Sequence, residues 1–247
     1  MLASRAHLAK QAAAMLVRQP ACLMHHGGDW GNWGNTNVAV VFSGCGWWDG
    51  TDIHEAHYMI VVIVPIKVYF KVPSDTKQFS LHRNMMMESA RFSHGQGTMQ
   101  MNDLSKLDVS SFDAVIFPGG HGIVKNLSTF SKDGKDCKLN NDVERIMKDF
   151  HRARKPIGLS SMAPLLACRV LPNLEVTMGY ERDESSRWGR WPNTTMVQAV
   201  KSMGAYVDEK NKVISTPTFM WETDYHYHYI FDGIGNMVKH VMRMTAK

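Results

Sequence analysis

At 247 residues, 44% apolar and 21% charged, the chain has the composition of a globular protein with a substantial core, which excludes a disordered or fibrous class. The formal charge of +5 includes Arg5, Lys10 and Arg18 in the first 28 residues, so the rest carries only +2. No basic stripe is interleaved with aromatic residues, and nucleic acid is not an expected partner. Cys22, Cys45, Cys137 and Cys168 are widely spaced, with no CxxC pair, which argues against a disulfide framework or a structural metal site.

Residues 1–28 are Ala-rich, basic and free of acids. On a helix, Leu2, Ala6, Ala9, Ala13 and Leu16 share one face, and the three cations lie off it. This is the pattern of a mitochondrial transit peptide, and the mitochondrial matrix is the expected compartment. A helix that docks or stays disordered is the alternative. Residues 29–36 read as a Gly/Asn linker, and 37–247 as one domain. The apolar run Tyr58 to Val64 is ended by Pro65 and Lys67, far short of the ~20 residues of a membrane span, so none is expected.

Within the domain, Asn37 to Ser43 is an apolar run followed by Gly44-Cys45-Gly46, as expected of a strand buried on both faces. Asp49 to Glu55 reads as a helix start with Thr51 as its cap. Ile66 to Val72 is a predicted strand and Arg83 to Phe92 a helix. Asp113 to Phe117 is a strand leading into Pro118-Gly119-Gly120-His121-Gly122. Asn140 to Arg152 has helical periodicity, and Pro156 to Ser160 is a buried strand. Leu174 to Met178 and Lys212 to Thr216 are further strands, and Asn193 to Met203 and Asp224 to Met244 are helices. Strands alternating with helices predict an α/β fold with a mostly parallel sheet and helices on both faces. Sites in such sheets form at the C-terminal ends of the strands.

The stretch Lys155-Pro-Ile-Gly-Leu-Ser-Ser-Met-Ala-Pro164 carries the chemistry. A short strand turns into a helix at small residues, the local pattern of a nucleophile elbow, and places Ser161 at the turn. The alternative is a small residue tolerated in a tight bend. Tyr225-His-Tyr-His-Tyr229 invites a metal reading, but His226 and His228 are two apart and face away from each other on a helix.

Three motifs occur in one order: Ser43-Gly-Cys-Gly-Trp-Trp-Asp-Gly-Thr-Asp-Ile-His-Glu-Ala56, Phe117-Pro-Gly-Gly-His-Gly-Ile-Val-Lys-Asn-Leu-Ser-Thr-Phe130, and the elbow itself. With Asp208 to Pro217 and Tyr229 to Gly235, they resemble the ES-one family of mitochondrial proteins and its bacterial relative ElbB over roughly residues 37 to 247. The resemblance implies a three-layer, flavodoxin-like sandwich of the class I glutamine amidotransferase type, within the DJ-one/PfpI superfamily. It also implies no cofactor, a homodimer as the assembly to test, and glyoxalase-like chemistry on small reactive aldehydes.

In that superfamily the elbow residue is a cysteine, with a glutamate from the first helix beside it and loop N–H groups to hold an oxyanion. Carried over by motif, Glu55 matches the glutamate and Gly119 and Gly120 the oxyanion loop, with Gly44 and Cys45 in the facing loop. The elbow cysteine is replaced by Ser161, and Tyr180 stands where some relatives carry a histidine. The chain also reads as shorter than its relatives, between the first helix and Arg83 and again before Asp208.

A serine is far less acidic than a thiol and needs an adjacent general base. A carboxylate of ordinary pKa, ~4.3, serves poorly, which leaves His121 as the histidine the sequence places near the site. Cys168, about two helical turns past the elbow, reads as core, and Cys45 is either a reactive thiol or a buried structural one. The expected function is a non-catalytic or attenuated protein acting by ligand or protein binding. The alternative is a residual glyoxalase-like or hydrolytic enzyme acting on small aldehydes through Ser161 or Cys45 with Glu55.

Overall fold

A computed structural model of the chain describes residues 36–46, 48–63, 67–72, 85–93, 101–177, 185–186, 189–190, 211–218 and 227–245. Residues 1–35 lie outside the described residues, as does the predicted helix Asn193 to Met203. The elements that follow belong to one compact unit, Trp33–Lys247.

Its strands are β1 (Asn37–Val41), β2 (Lys67–Val72), β3 (Met101–Asp103), β4 (Ala114–Phe117), β5 (Ile157–Ser160), the two-residue β6 (Ser185–Ser186) and β7 (Gly189–Arg190), and β8 (Val213–Thr216). Six of them form a sheet in the order β3-β2-β1-β4-β5-β8 in which every described pairing is parallel, while β6 and β7 pair antiparallel as a separate ribbon. The α-helices are α1 (Ile53–Ile63), α2 (Met85–Ser89), α3 (Gly122–Lys125), α4 (Phe130–Asp133), α5 (Asn141–Arg152), α6 (Pro164–Val170) and α7 (Tyr227–Thr245). Strand order reverses between β1 and β4, the position at which open α/β sheets leave a crevice at their C-terminal edge.

The period of two along each strand divides the core into two layers. Ala39, Val41, Val115, Phe117, Ile157 and Leu159 face a cluster built on α5 and α6 through Val143, Ile146, Phe150, Leu165 and Leu166. Val38, Val40, Ala114 and Ile116 face the opposite cluster, where Ala56 and Met59 of α1 meet Ile234, Val238 and Val241 of α7. Tyr58 of α1 stacks on Phe231 of α7, with ring centroids 4.5 Å apart. Since Ile157 and Leu159 face α5 and α6, alternation turns Gly158 and Ser160 toward the α1/α7 side.

Gly158 lets α7 approach the sheet. A methyl group there would lie 3.0 Å from Val241 Cγ2 and 3.2 Å from Ile116 Cγ1, both on stiff β-branched side chains. Gly158→Ala is expected to lower stability by about 1–3 kcal/mol through overpacking, seen as a fall in Tm of several degrees by calorimetry. An unchanged Tm would show that α7 can shift at no cost.

Three expectations need correction. The cap of α1 is Asp52 rather than Thr51: Asp52 Oδ1 accepts from the N–H groups of His54 (2.9 Å) and Glu55 (3.0 Å). Thr51 Oγ1 is engaged by the Ser43 N–H at 2.8 Å. Residues 174–177 form no strand, although the Thr177 N–H donates to Ser215 Oγ of β8 at 2.7 Å. The helix expected from Arg83 to Phe92 is one short α-helical segment followed by a 3-10 turn, Ala90–Ser93.

Candidate functional site at the strand edge

The loops after β1, β4 and β5 meet at the C-terminal edge of the sheet. The loop after β1 is pinned by its backbone: Gly50 N–H donates to Gly46 O (2.9 Å), Thr51 N–H to Gly44 O (3.2 Å), and Gly44 N–H to Ser89 Oγ (2.9 Å). Asn126 Nδ2 donates to Ser43 O and Asp49 O, each at 2.7 Å, and so ties this loop to the one after β4. Asp52 N–H donates to Gly119 O at 3.0 Å and Gly122 N–H to Gly50 O at 2.8 Å. At Gly120 φ is +109°, and a Cβ would lie 2.4 Å from Asp52 N, so only glycine fits.

Ser161 stands at the turn with φ +51°, a left-handed conformation that costs a non-glycine residue about 1–2 kcal/mol and marks an elbow held by its surroundings. Its N–H is taken by Thr216 O at 3.0 Å. A methyl group on Gly119 would lie 2.4 Å from Ser161 Cβ, 2.8 Å from Glu55 Oε2 and 3.0 Å from Glu55 Oε1. Gly119, Ser161 and Glu55, three of the residues expected at the site, are therefore packed together.

Their bonding differs from the expected pattern. The hydroxyl that donates to Glu55 Oε2 belongs to Ser160. Gly119 N–H lies 3.0 Å from the same carboxyl oxygen and 2.9 Å from Ser160 Oγ. Among the described residues, Ser161 Oγ forms no hydrogen bond with Glu55 or with His121. Ser160 is the residue that sequence reasoning missed. The alternation of β5 was the available signal, because it places the last strand residue on the α1 side, where Glu55 arises.

Burial pushes the Glu55 carboxyl up to about 8, and the nearby Asp52 charge adds to the effect, against the hydrogen bonds from Ser160 and Gly119. Thr218 also weighs against the rise. Its Oγ1 is itself buried and has no partner in hydrogen-bonding geometry among the described residues, so its effect on Glu55 is one of proximity. At neutral pH Glu55 is mostly a neutral acid, which is not the state of a general base.

The remaining expected residues are placed as follows. His121 sits just before α3, its ring 4.9 Å from that of Trp48 and tilted by 41°. Gly44 and Cys45 lie in the loop after β1, where Cys45 is a buried free thiol whose backbone pairs with that of Thr51. Cys168 is buried in the α5/α6 layer, and burial pushes its thiol up to about 12, so it is a core residue and not a displaced nucleophile. Tyr180 and His226 lie outside the described residues, and His228 is exposed on α7. Among the described residues, no three His, Cys, Asp or Glu side chains gather as a metal site, and no helix is long and apolar enough to cross a membrane.

No family model matches the chain. Over its whole length, and that of its relative, it is 80% identical to the mitochondrial ES1 protein of Danio rerio. The chain belongs to the ES1 family. It is also 46% identical, over 85% of its length and 84% of the relative's, to a human mitochondrial protein named for its glutamine amidotransferase-like class 1 domain. The ES1 fold is shared with a solved Ehrlichia chaffeensis protein, titled as an isoprenoid biosynthesis protein with an amidotransferase-like domain. That match has 22% identity and a TM-score of 0.69, over 85% of this chain and all of the other. The expected amidotransferase-like α/β fold is thus the one observed.

The alignment with the Danio rerio ES1 protein spans 270 positions against the 247 residues here, so at least 23 positions fall opposite gaps in this chain. The places where the sequence reads as shortened fall at or beside residues 64–66, 73–84 and 191–210, outside the described residues. The six-stranded sheet is nonetheless present.

Proposed function

We propose that this ES1-family chain binds a small ligand at its elbow without turning it over. The ligand class is a small aldehyde or another small molecule with a carbonyl or carboxylate oxygen. One observation carries the reading: the carboxyl that would have to activate Ser161 has its Oε2 taken by Ser160 and Gly119, and burial, by pushing its pKa up to about 8, favours its neutral form. A serine without a base does not attack a carbonyl at a useful rate. The elbow keeps donors that a ligand could use. Among the described residues, the N–H groups of Gly120 and Met162 have no hydrogen-bond partner, and each directly follows a residue of the packed cluster. The place of action is the mitochondrial matrix, a reading supported by the acid-free amphipathic segment at residues 1–28 and by relatives named as mitochondrial proteins.

The test is consumption of methylglyoxal or glyoxal by the purified full chain beside its Ser161→Ala variant. Equal rates, both at the buffer background, are expected. A wild-type rate that disappears in Ser161→Ala would overturn the reading in favour of a residual aldehyde enzyme.

A further inference from the structure

Ser160 is fully buried, so it neither meets a ligand nor attacks one. It is nonetheless the side chain bonded to Glu55, and its oxygen is within hydrogen-bond reach of the Gly119 N–H. Gly119 is fixed in turn through its carbonyl by the Asp52 N–H. Glu55 Oε2 therefore faces two donors, whereas Oε1 has no donor in hydrogen-bonding geometry among the described residues, although the buried Thr218 hydroxyl is near enough to act on the carboxyl.

We propose that Ser160 is the positioning residue of this elbow: with the Gly119 N–H it claims Glu55 Oε2 and leaves Oε1 as the carboxyl atom that meets whatever occupies the turn at residue 161. The inference rests on the reading above only in treating the elbow as the binding site. An oxygen already accepting from two donors is a poor seat for the carboxyl proton, so the proton sits on Oε1. Glu55 then presents an O–H donor to the elbow, and a bound group must offer an acceptor there: a carbonyl oxygen, a carboxylate or a thiolate. Asp52 is the other charged group acting on Glu55, and its cap bonds to the His54 and Glu55 N–H groups hold it in place.

The reporter is a thiol introduced by Ser161→Cys in the full chain. Its alkylation by iodoacetamide is followed between pH 5.5 and 9 by mass spectrometry of the peptide that carries it. A donor at Oε1 stabilises the thiolate, so the midpoint is expected below the unperturbed value of ~8.5. Adding Ser160→Ala frees the carboxyl to turn, and the rate at pH 7 is expected to fall about tenfold, with the midpoint rising by about one unit. Adding Glu55→Gln in place of Ser160→Ala is expected to keep the low midpoint. The amide oxygen accepts the Ser160 and Gly119 donors, and the amide N–H takes the place of the acid proton. Superimposable profiles with and without the Ser160 hydroxyl would overturn the proposal, as would loss of the low midpoint in Glu55→Gln. If Ser160→Ala fails to unfold cooperatively, the Glu55→Gln arm decides alone. Turnover by the wild-type chain would overturn the non-catalytic reading and leave the role of Ser160 standing.

Discussion

Ser161→Cys is expected to convert the chain from a protein without measurable aldehyde turnover into one that consumes methylglyoxal at least about 100-fold faster than wild type. The elbow is already formed: residue 161 holds its left-handed φ of +51°, and the side chains around it are packed. What the serine lacks is an ionisable proton near neutrality. A thiol supplies one at an unperturbed pKa of ~8.5, and it needs no strong base. The neutral Glu55 carboxyl, useless as a base for an alcohol, is a suitable donor toward a thiolate. The variant should fold as the wild type does, because sulfur for oxygen is a modest enlargement at a site that keeps slight exposure. A Ser161→Cys protein that unfolds cooperatively and is alkylated readily, yet turns nothing over, would show that the elbow survives while the rest of the catalytic geometry does not.

The second large effect is on stability as a function of pH. Glu55 has a folded-state pKa of about 8 against 4.5 for an unperturbed glutamate, so the folded protein binds the proton more tightly than the unfolded chain. Its contribution is fully present below about pH 4.5 and is lost as pH rises through about 8. Between those values wild-type stability falls by up to about 1.4 kcal/mol per pH unit from this group alone. Glu55→Gln keeps an oxygen for Ser160 and Gly119 and removes the titration. The difference in Tm between wild type and Glu55→Gln is therefore expected to move steadily in favour of the variant from pH 5.5 to 8.5, by several degrees in total. Other titrating groups cancel in the difference. A constant difference across that range would mean that Glu55 is already ionised in the folded protein at pH 5.5.

Much of the architecture was legible in the sequence because parallel strands buried on both faces leave unbroken apolar runs. Val38 to Phe42, Ala114 to Phe117 and Ile157 to Leu159 could hardly be anything else. The helical periodicity of 140–152 marked α5, and the structure adds its cap: Asn140 Oδ1 accepts from the Asp142 N–H at 2.9 Å. The elbow and Glu55 were legible through motif resemblance, since no local pattern reports that residues so far apart in the chain pack together. Other features were hidden for particular reasons. Thr51 and Asp52 are both good cap residues, and only the tertiary bond from the Ser43 N–H to Thr51 decides between them. β3 has three residues and is set by its register with Phe70–Val72, not by its own composition. Leu174 to Met178 has the apolar content of a strand, but the partner edge takes a single described bond from it. Ser160 was overlooked for its neighbour because the turn draws attention to residue 161, whereas strand alternation aims residue 160 at Glu55.

The state of one carboxyl group separates ligand binding from serine chemistry at this elbow, and that group can be observed directly. Carboxyl-selective 13C NMR of glutamate-labelled full chain, with Glu55→Gln to assign the resonance, would follow Glu55 from pH 4 to 10. The Glu55 carboxyl is expected to be neutral at pH 7 and to titrate at about 8. A Glu55 resonance that titrates near 4.5 would contradict it, because an ionised Glu55 is neither the neutral acid nor the O–H donor assigned to the elbow.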